Sequence, residues 1–292
     1  MLHELIPIIA PVFICALIGF CWARSGLPFD NNTISQLVMN IGAPSLIIHS
    51  LTSTQLSLHT FLQIAQYTLY ISLLMALLSV LALRFWGLNI RCYLPSALFS
   101  NVGNIGLPVC YFAFGDIGLA YGLAFFMMMS IGHFSFGISW ISGESFTSTL
   151  LKNPVIHSIW VGVLLLYTEW SLPLWFNNTL ELISGFAIPL MLIALGVSLS
   201  YLKVGHMILA VRMSVLRIVG GFTIAYGLTE AMGITGEMRG VLLIQSAMPV
   251  AVFNYLLAQR YNRNPTEIAG IVVISTLMGF CFMPLILWFA LN

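Results

Sequence analysis

The sequence predicts an all-α polytopic membrane protein of ten transmembrane helices, arranged as two inverted five-helix repeats whose helices 4 and 9 are broken and cross. Three observations predict it. Of 292 residues, 60% are hydrophobic and only 7% charged, with a mean hydropathy of +1.00, whereas soluble domains carry roughly 25% charged residues. The charges cluster in short segments between long uncharged runs. The runs of the second half also echo those of the first.

Leu5–Trp22 is free of Asp, Glu, Lys and Arg. Met1–Glu4 before it lacks a basic n-region, and no small-residue cleavage pattern follows, so the run reads as a retained first span. Asn31–Leu58 (with His49), Thr60–Leu83, Cys92–Gly115 and Ile117–Gly143 (with His133) complete the first half. Pro154–Trp170, Leu182–Leu202, Val204–Thr229, Gly240–Gln259 and Ile268–Leu291 form the second. A hydrocarbon core of about 30 Å takes roughly 20 helical residues, so each run is a candidate span. The expected division is residues 1–143 for the first repeat, 144–153 for a cytoplasmic connector and 154–292 for the second repeat. The connections are too short for a further folded domain.

Placing the N-terminus outside assigns Arg24, Arg84, Arg91, Lys152, Lys203, Arg260 and Arg263 to cytoplasmic loops. Only Arg239 falls opposite, with Asp116, Glu169, Glu230 and Glu237. This positive-inside bias predicts an inner-membrane protein with both termini periplasmic or extracellular. The net charge of +1 gives no polybasic footprint for nucleic acid. Five cysteines without CxxC spacing read as small buried hydrophobes. No HExxH, GxSxG, P-loop or pair of intramembrane aspartates points to an enzyme. No metal and no cofactor are expected.

The repeat rests on prolines in matching spans. Pro7 opens span one as Pro154 opens span six, Pro44 lies in span two as Pro189 in span seven, and Pro108 lies in span four as Pro249 in span nine. An odd number of spans per half inverts the second half, the arrangement of secondary transporters.

Span four packs Asn101, Gly103, Asn104, Gly106 and Pro108 into eight residues, and span nine carries Gln245, Pro249 and Asn254. Proline removes a donor and clashes with the preceding turn, while glycine tolerates non-helical backbone. A break in hydrocarbon has to be buried in protein or line a wet cavity. Unwinding at Pro108 and Pro249 would start new helices at mid-membrane, with their electropositive N-termini facing a shared anion site. Asn101, Asn104, Gln245 and Asn254 would then orient the substrate by hydrogen bonds, with a plain proline kink and close glycine packing as the alternative. The expected substrate-binding set also takes in Gly106, and the resemblance described next extends it to Pro108 and Pro249.

These segments resemble the auxin efflux carrier family. The likeness runs through residues 101–108, Ile188-Pro-Leu with Ala194–Leu199, residues 245–249 through 258–265, and Ser275-Thr-Leu. It implies a ten-helix fold with a scaffold part and a transport part, related to bile-acid and sodium–proton carriers, and an elevator mechanism. It also implies transport of organic anions, such as auxin in plant members and malonate or malate in bacterial ones. The long central hydrophilic loop of the plant carriers is missing, which favours a bacterial type.

Arg217 lies about 20 Å along its helix, too deep for easy snorkelling. It either neutralises an anionic substrate or anchors the interface between the two parts. Arg212 is shallower and snorkels. His49 reads as interfacial. His133 lies deep without an acidic partner, as a core residue or a proton relay. The absence of a mid-depth Asp or Glu disfavours a sodium–proton antiporter. The coupling ion is a proton, sodium or none. Met127–Met129 and the aromatic faces serve lipid contact, core packing or a homodimer equally well. The expected partners are thus a small organic anion and membrane lipids. The alternatives are a membrane-embedded sensor, or a bile-acid-type sodium symporter with another substrate.

Overall fold

A computed structural model describes residues 2–53, 56–143, 145, 154–168, 170–202 and 205–292. Lys152, Glu169, Lys203 and all of the connector except Ser145 lie outside the described residues.

Uninterrupted apolar sequence folds here as helix because only a helix satisfies the backbone inside one segment. The helices are α1 (Leu2–Arg24), α2 (Asn31–Leu37), α3 (Ala43–Ser53), α4 (Leu58–Phe85), α5 (Ile90–Leu98), α6 (Leu107–Gly132) and α7 (Ile138–Ser142). They continue with α8 (Pro154–Thr168), α9 (Leu174–Tyr201), α10 (Met207–Ala231), α11 (Gly236–Ser246), α12 (Val252–Arg260) and α13 (Pro265–Leu291). π-helical turns at Val38–Gly42, Val102–Gly106 and His133–Gly137 join α2 to α3, lead into α6, and join α6 to α7. Among the described residues, six helical segments are long and apolar enough to cross a membrane, and Pro154–Thr168 is a shorter apolar helix.

The outward faces suit lipid. Leu69, Leu73, Leu77 and Leu81 recur every four residues on α4, and Val211, Val215 and Val219 do so on α10; all are exposed. In water such stripes would be sticky patches. In hydrocarbon they are ordinary surface.

The segment Val102–Ser142 does not run straight. Gly115 adopts φ 64° and ψ −148°, a conformation that glycine reaches without strain. Fifteen helical residues would separate Leu107 from Gly122 by about 22 Å. A Cβ built on Gly122 instead meets the side chains of Leu107 and Cys110 at 3.3 Å. The chain therefore reverses at Gly115.

The helices pack as two groups. In one, α1, α2, α3, α8 and α9 are neighbours; in the other, α4, α5, α6, α10, α11, α12 and α13 are. The first group is held by backbone-to-backbone approach of α1 and α9. A Cβ on Gly196 would lie 1.8 Å from the Ala16 carbonyl oxygen, and one on Gly19 would lie 2.0 Å from that of Ile193. Small residues permit this closeness in membrane helices. The groups meet where α1, α3, α8 and α9 touch α6, α13 and the π turn Val102–Gly106.

Gly196→Ala is expected to lower the melting temperature of the detergent-solubilised protein, by overpacking worth about 1–3 kcal/mol. Gly185→Ala on the same helix meets nothing within 4 Å and is the control expected to leave it unchanged.

Candidate functional site

Two helices stop deep in the second group and restart a few residues on. α5 ends at Leu98 and the chain turns extended at Phe99 (φ −94°, ψ 113°) before helical turns resume at Val102. α11 ends at Ser246, and α12 starts at Val252 after an extended Ala251. The two gaps lie antiparallel, with Ser100 opposite Val250. The Asn101 N–H donates to the Pro249 carbonyl at 2.7 Å, and the Ala251 N–H donates to the Phe99 carbonyl at 3.2 Å. Pro249 fits this place because it offers a carbonyl and needs no acceptor. Gly279 of α13 lets its ring pack closely, since an added Cβ would stand 3.3 Å from it.

Several of the remaining polar groups of the gaps are served by side chains. Ser275 Oγ accepts from the Val250 N–H at 3.1 Å. Asn254 Nδ2 donates to the Phe99 carbonyl at 3.0 Å, and Asn254 Oδ1 lies 3.0 Å from His133 Nε2. Arg217, only 2% exposed, takes the carbonyls at both helix ends. Its Nη1 donates to Ala97 and Leu98 of α5, each at 3.2 Å. Its Nη2 donates to Ser246 and its Nε to Met248 at 3.4 Å. The C-terminus of a helix leaves carbonyls unpaired and carries about half a negative charge. Two such ends match one guanidinium. Gly221 makes room, because a Cβ there would strike the Ser246 carbonyl oxygen at 2.0 Å.

On the opposite side of the gaps, the restarting N-termini border a cavity of about 140 Å³ between the two helix groups. Ser100, Asn101, Asn104, Ser130, His133 and Ser198 supply its polar lining. Phe99, Phe126, Phe134, Phe253, Met39, Met129 and Met191 supply apolar wall. All three π turns contribute lining residues, and such turns recur at functional sites because they displace side chains from the helical register. Asn101 is 4% exposed, and its Nδ2 has no protein partner among the described residues. Among the described residues, the lining contains no Asp, Glu, Lys or Arg.

The expected site residues divide accordingly. Asn101 and Asn104 line the cavity. Gly106 and Gln245 pack behind it: a Cβ on Gly106 would collide with Gln245 Oε1, and Gln245 Nε2 donates to the Gly122 carbonyl at 3.3 Å. Pro249 and Asn254 brace the gaps, as described. Pro108 is buried at the start of α6, with helical turns on either side of it. The expectation of a break at Pro108 is corrected. The break lies at Phe99–Asn101, where pairing with Ala251 and Pro249 outcompetes helix continuation. Arg217 is not among the lining residues. Phe99, Ser130 and Ser275 escaped the sequence reading as participants. The usable signal was Asn101 itself, a residue type that favours helix starts.

Over residues 138–289 the chain matches the family described as membrane transport protein. It is 25% identical over 290 residues, 94% of either chain, to an uncharacterized transporter of Methanothermobacter thermautotrophicus. It is 28% identical over 208 residues, 67% of either chain, to an uncharacterized transporter of Methanocaldococcus jannaschii.

Arg217→Met is expected to destabilise the protein by on the order of 3 kcal/mol, because it strands buried carbonyls at two helix ends. Arg217→Lys should recover less than half of this, since an ammonium cannot fork between helices. Thermal melts of the three proteins in one detergent measure both.

Proposed function

Because the chain belongs to the membrane transport protein family of auxin efflux carriers, we propose that it is a secondary transporter of small organic anions. The anion sits at the cavity beside the two restarting helices, in an inner membrane with both termini outside. The observation that carries this reading is the pair of helix N-termini on one cavity, together with the buried, unpartnered Asn101 amide. Each N-terminus offers free N–H groups and about half a positive charge. A carboxylate is the ligand that such donors recognise.

The proposed architecture is ten passes in two inverted repeats, residues 1–143 and 154–292. The interrupted pairs α5/α6 and α11/α12 form the crossing helices 4 and 9, and the reversal at Gly115 separates pass four from pass five. The packing of α1, α2, α3, α8 and α9 against one another supports treating that group as a fixed scaffold. The other group would then carry the crossover and the anion past it, which is the elevator form of alternating access. The same cavity lies between the two groups, where such movement would change its access. Substrates in view are carboxylates such as malonate or malate, or auxin-like weak acids.

Purified protein in liposomes is expected to accumulate a radiolabelled carboxylate. Asn101→Ala and Asn104→Ala should each slow the initial uptake about tenfold, the worth of one charged hydrogen bond. Both should leave the melting temperature within a few degrees of the parent. Folded protein that neither binds nor moves any of a panel of mono- and dicarboxylates would end the reading.

A further inference from the structure

We propose that His133 is the proton-binding group of the cavity, so that the anion and one proton are carried together. This rests on the transport reading above and adds to it the identity of the coupling ion and its residue.

The argument starts from the backbone. α6 ends at Gly132 and the π turn His133–Gly137 follows, and His133, 8% exposed, lines the same cavity as Asn101 and Asn104. Its ring lies flat on Phe99, with centroids 4.3 Å apart and planes 7° apart, and also stacks on Phe134 at 5.6 Å. Phe253 meets it edge-on at 5.3 Å. Aromatic faces of this kind attract an imidazolium and offset part of what burial costs the charged ring, and an anion in the cavity offsets more.

The tautomer is fixed by chemistry. Asn254 commits its NH₂ group to the Phe99 carbonyl, so Oδ1 is the atom that faces His133. An oxygen there requires Nε2 to be the donor, which leaves Nδ1 as the position for a second proton. Nδ1 has no protein partner among the described residues. Protonation therefore adds a full positive charge without breaking the Nε2–Asn254–Phe99 chain that holds the gap. The switch is in charge, not in fold.

Among the described residues, no other ionisable group lines the cavity. On the elements packed about the ring, the ionisable side chains are Arg91, Cys92 and Tyr93 of α5, Cys110, Tyr111, Asp116 and Tyr121 of α6, and Tyr255 and Arg260 of α12; α7 has none. None of these lines the cavity. Arg217 is held on the carbonyls at the C-terminal ends of α5 and α11. An anion entering beside a neutral imidazole meets only partial charges, while beside an imidazolium it meets a counter-ion. Binding of either ion then favours the other, reciprocally.

The test uses the full chain in proteoliposomes, with radiolabelled pyruvate and, separately, oxalate as probes, because their own charge stays essentially constant over the pH span used, and protein-free liposomes as the leak control. Lowering the outside pH from about 7.5 to about 5.5, with the interior held, should raise the wild-type initial rate about tenfold. An internal pH dye should record proton entry that depends on the anion. His133→Gln, which keeps a donor for Asn254 and cannot titrate in this range, should still move anion but at one rate across that pH span. Anion entry without protons in the wild type, or an unchanged pH profile in His133→Gln, overturns the inference and leaves the transport reading standing. No flux of either probe in folded wild type overturns both. If His133→Gln does not fold, His133→Asn takes its place, and the wild-type proton measurement by itself overturns the inference when anion enters without protons.

Discussion

The crossover depends on one buried cation. A guanidinium in an apolar interior is costly unless every donor finds an acceptor. Arg217 finds them on Ala97, Leu98, Ser246 and Met248, which are the ends of two helices that stop inside the protein. Those ends need a cation as much as the cation needs them. The same pairing sets the field at the cavity. A broken helix places a negative C-terminus near the positive N-terminus of its continuation, and the two dipole ends largely cancel. Neutralising both C-termini with one arginine leaves both N-termini electrically uncovered, at about one positive charge between them. In the transport reading proposed above, Arg217 would act on an anion that it does not touch. Its partners all belong to its own helix group, so it braces the crossover and not the interface between the two groups.

Around that contact, much of the backbone of the gaps is paired. Phe99 accepts twice, Asn101 and Ala251 donate across the gap, and Ser275 serves Val250. Irregular backbone at membrane depth persists only under such conditions. Of the buried side-chain groups left without a partner among the described residues, Ser100 Oγ and the Asn101 amide belong to cavity-lining residues, whereas Gln245 Oε1 and Ser246 Oγ do not. In the reading proposed above, a hydrogen-bonded crossover beside an adaptable wall of Phe and Met side chains would give a fixed recognition point within a space that tolerates different substrate bodies.

Much of this was legible in the sequence, and the illegible part has a physical cause. Asn101, Gly103, Asn104, Gly106 and Pro108 marked the interrupted segment because those residue types are disfavoured in uninterrupted lipid-facing helix. The location of the break within it was not legible. Phe99 and Ser100 have no local preference for leaving a helix; they leave because Pro249 and Ala251 lie opposite, which is tertiary information. Arg217 was visible as an anomaly, yet its partners are carbonyls, which every residue possesses and no sequence pattern marks. Gln245 and Asn254 show the converse limit. An amide in an apolar run announces a hydrogen bond, but not whether a ligand or the protein itself receives it, and here Gly122 and Phe99 do.

The absence of any Asp, Glu, Lys or Arg from the cavity lining bears on turnover. A carrier has to release what it binds. A fixed ion pair in a low-dielectric cavity would hold an anion by several kcal/mol more than free N–H groups and amide side chains do. Tight holding lowers the ground state of the loaded protein and slows every step out of it. In the reading proposed above, partial charges from helix ends would give enough selectivity to admit an anion and little enough affinity to let it go. A titratable imidazole among them adds attraction that a proton can supply on one side of the membrane and withdraw on the other. The formal charge that the fold cannot do without is kept behind the crossover, on Arg217, where it shapes the field at the site without holding the cargo.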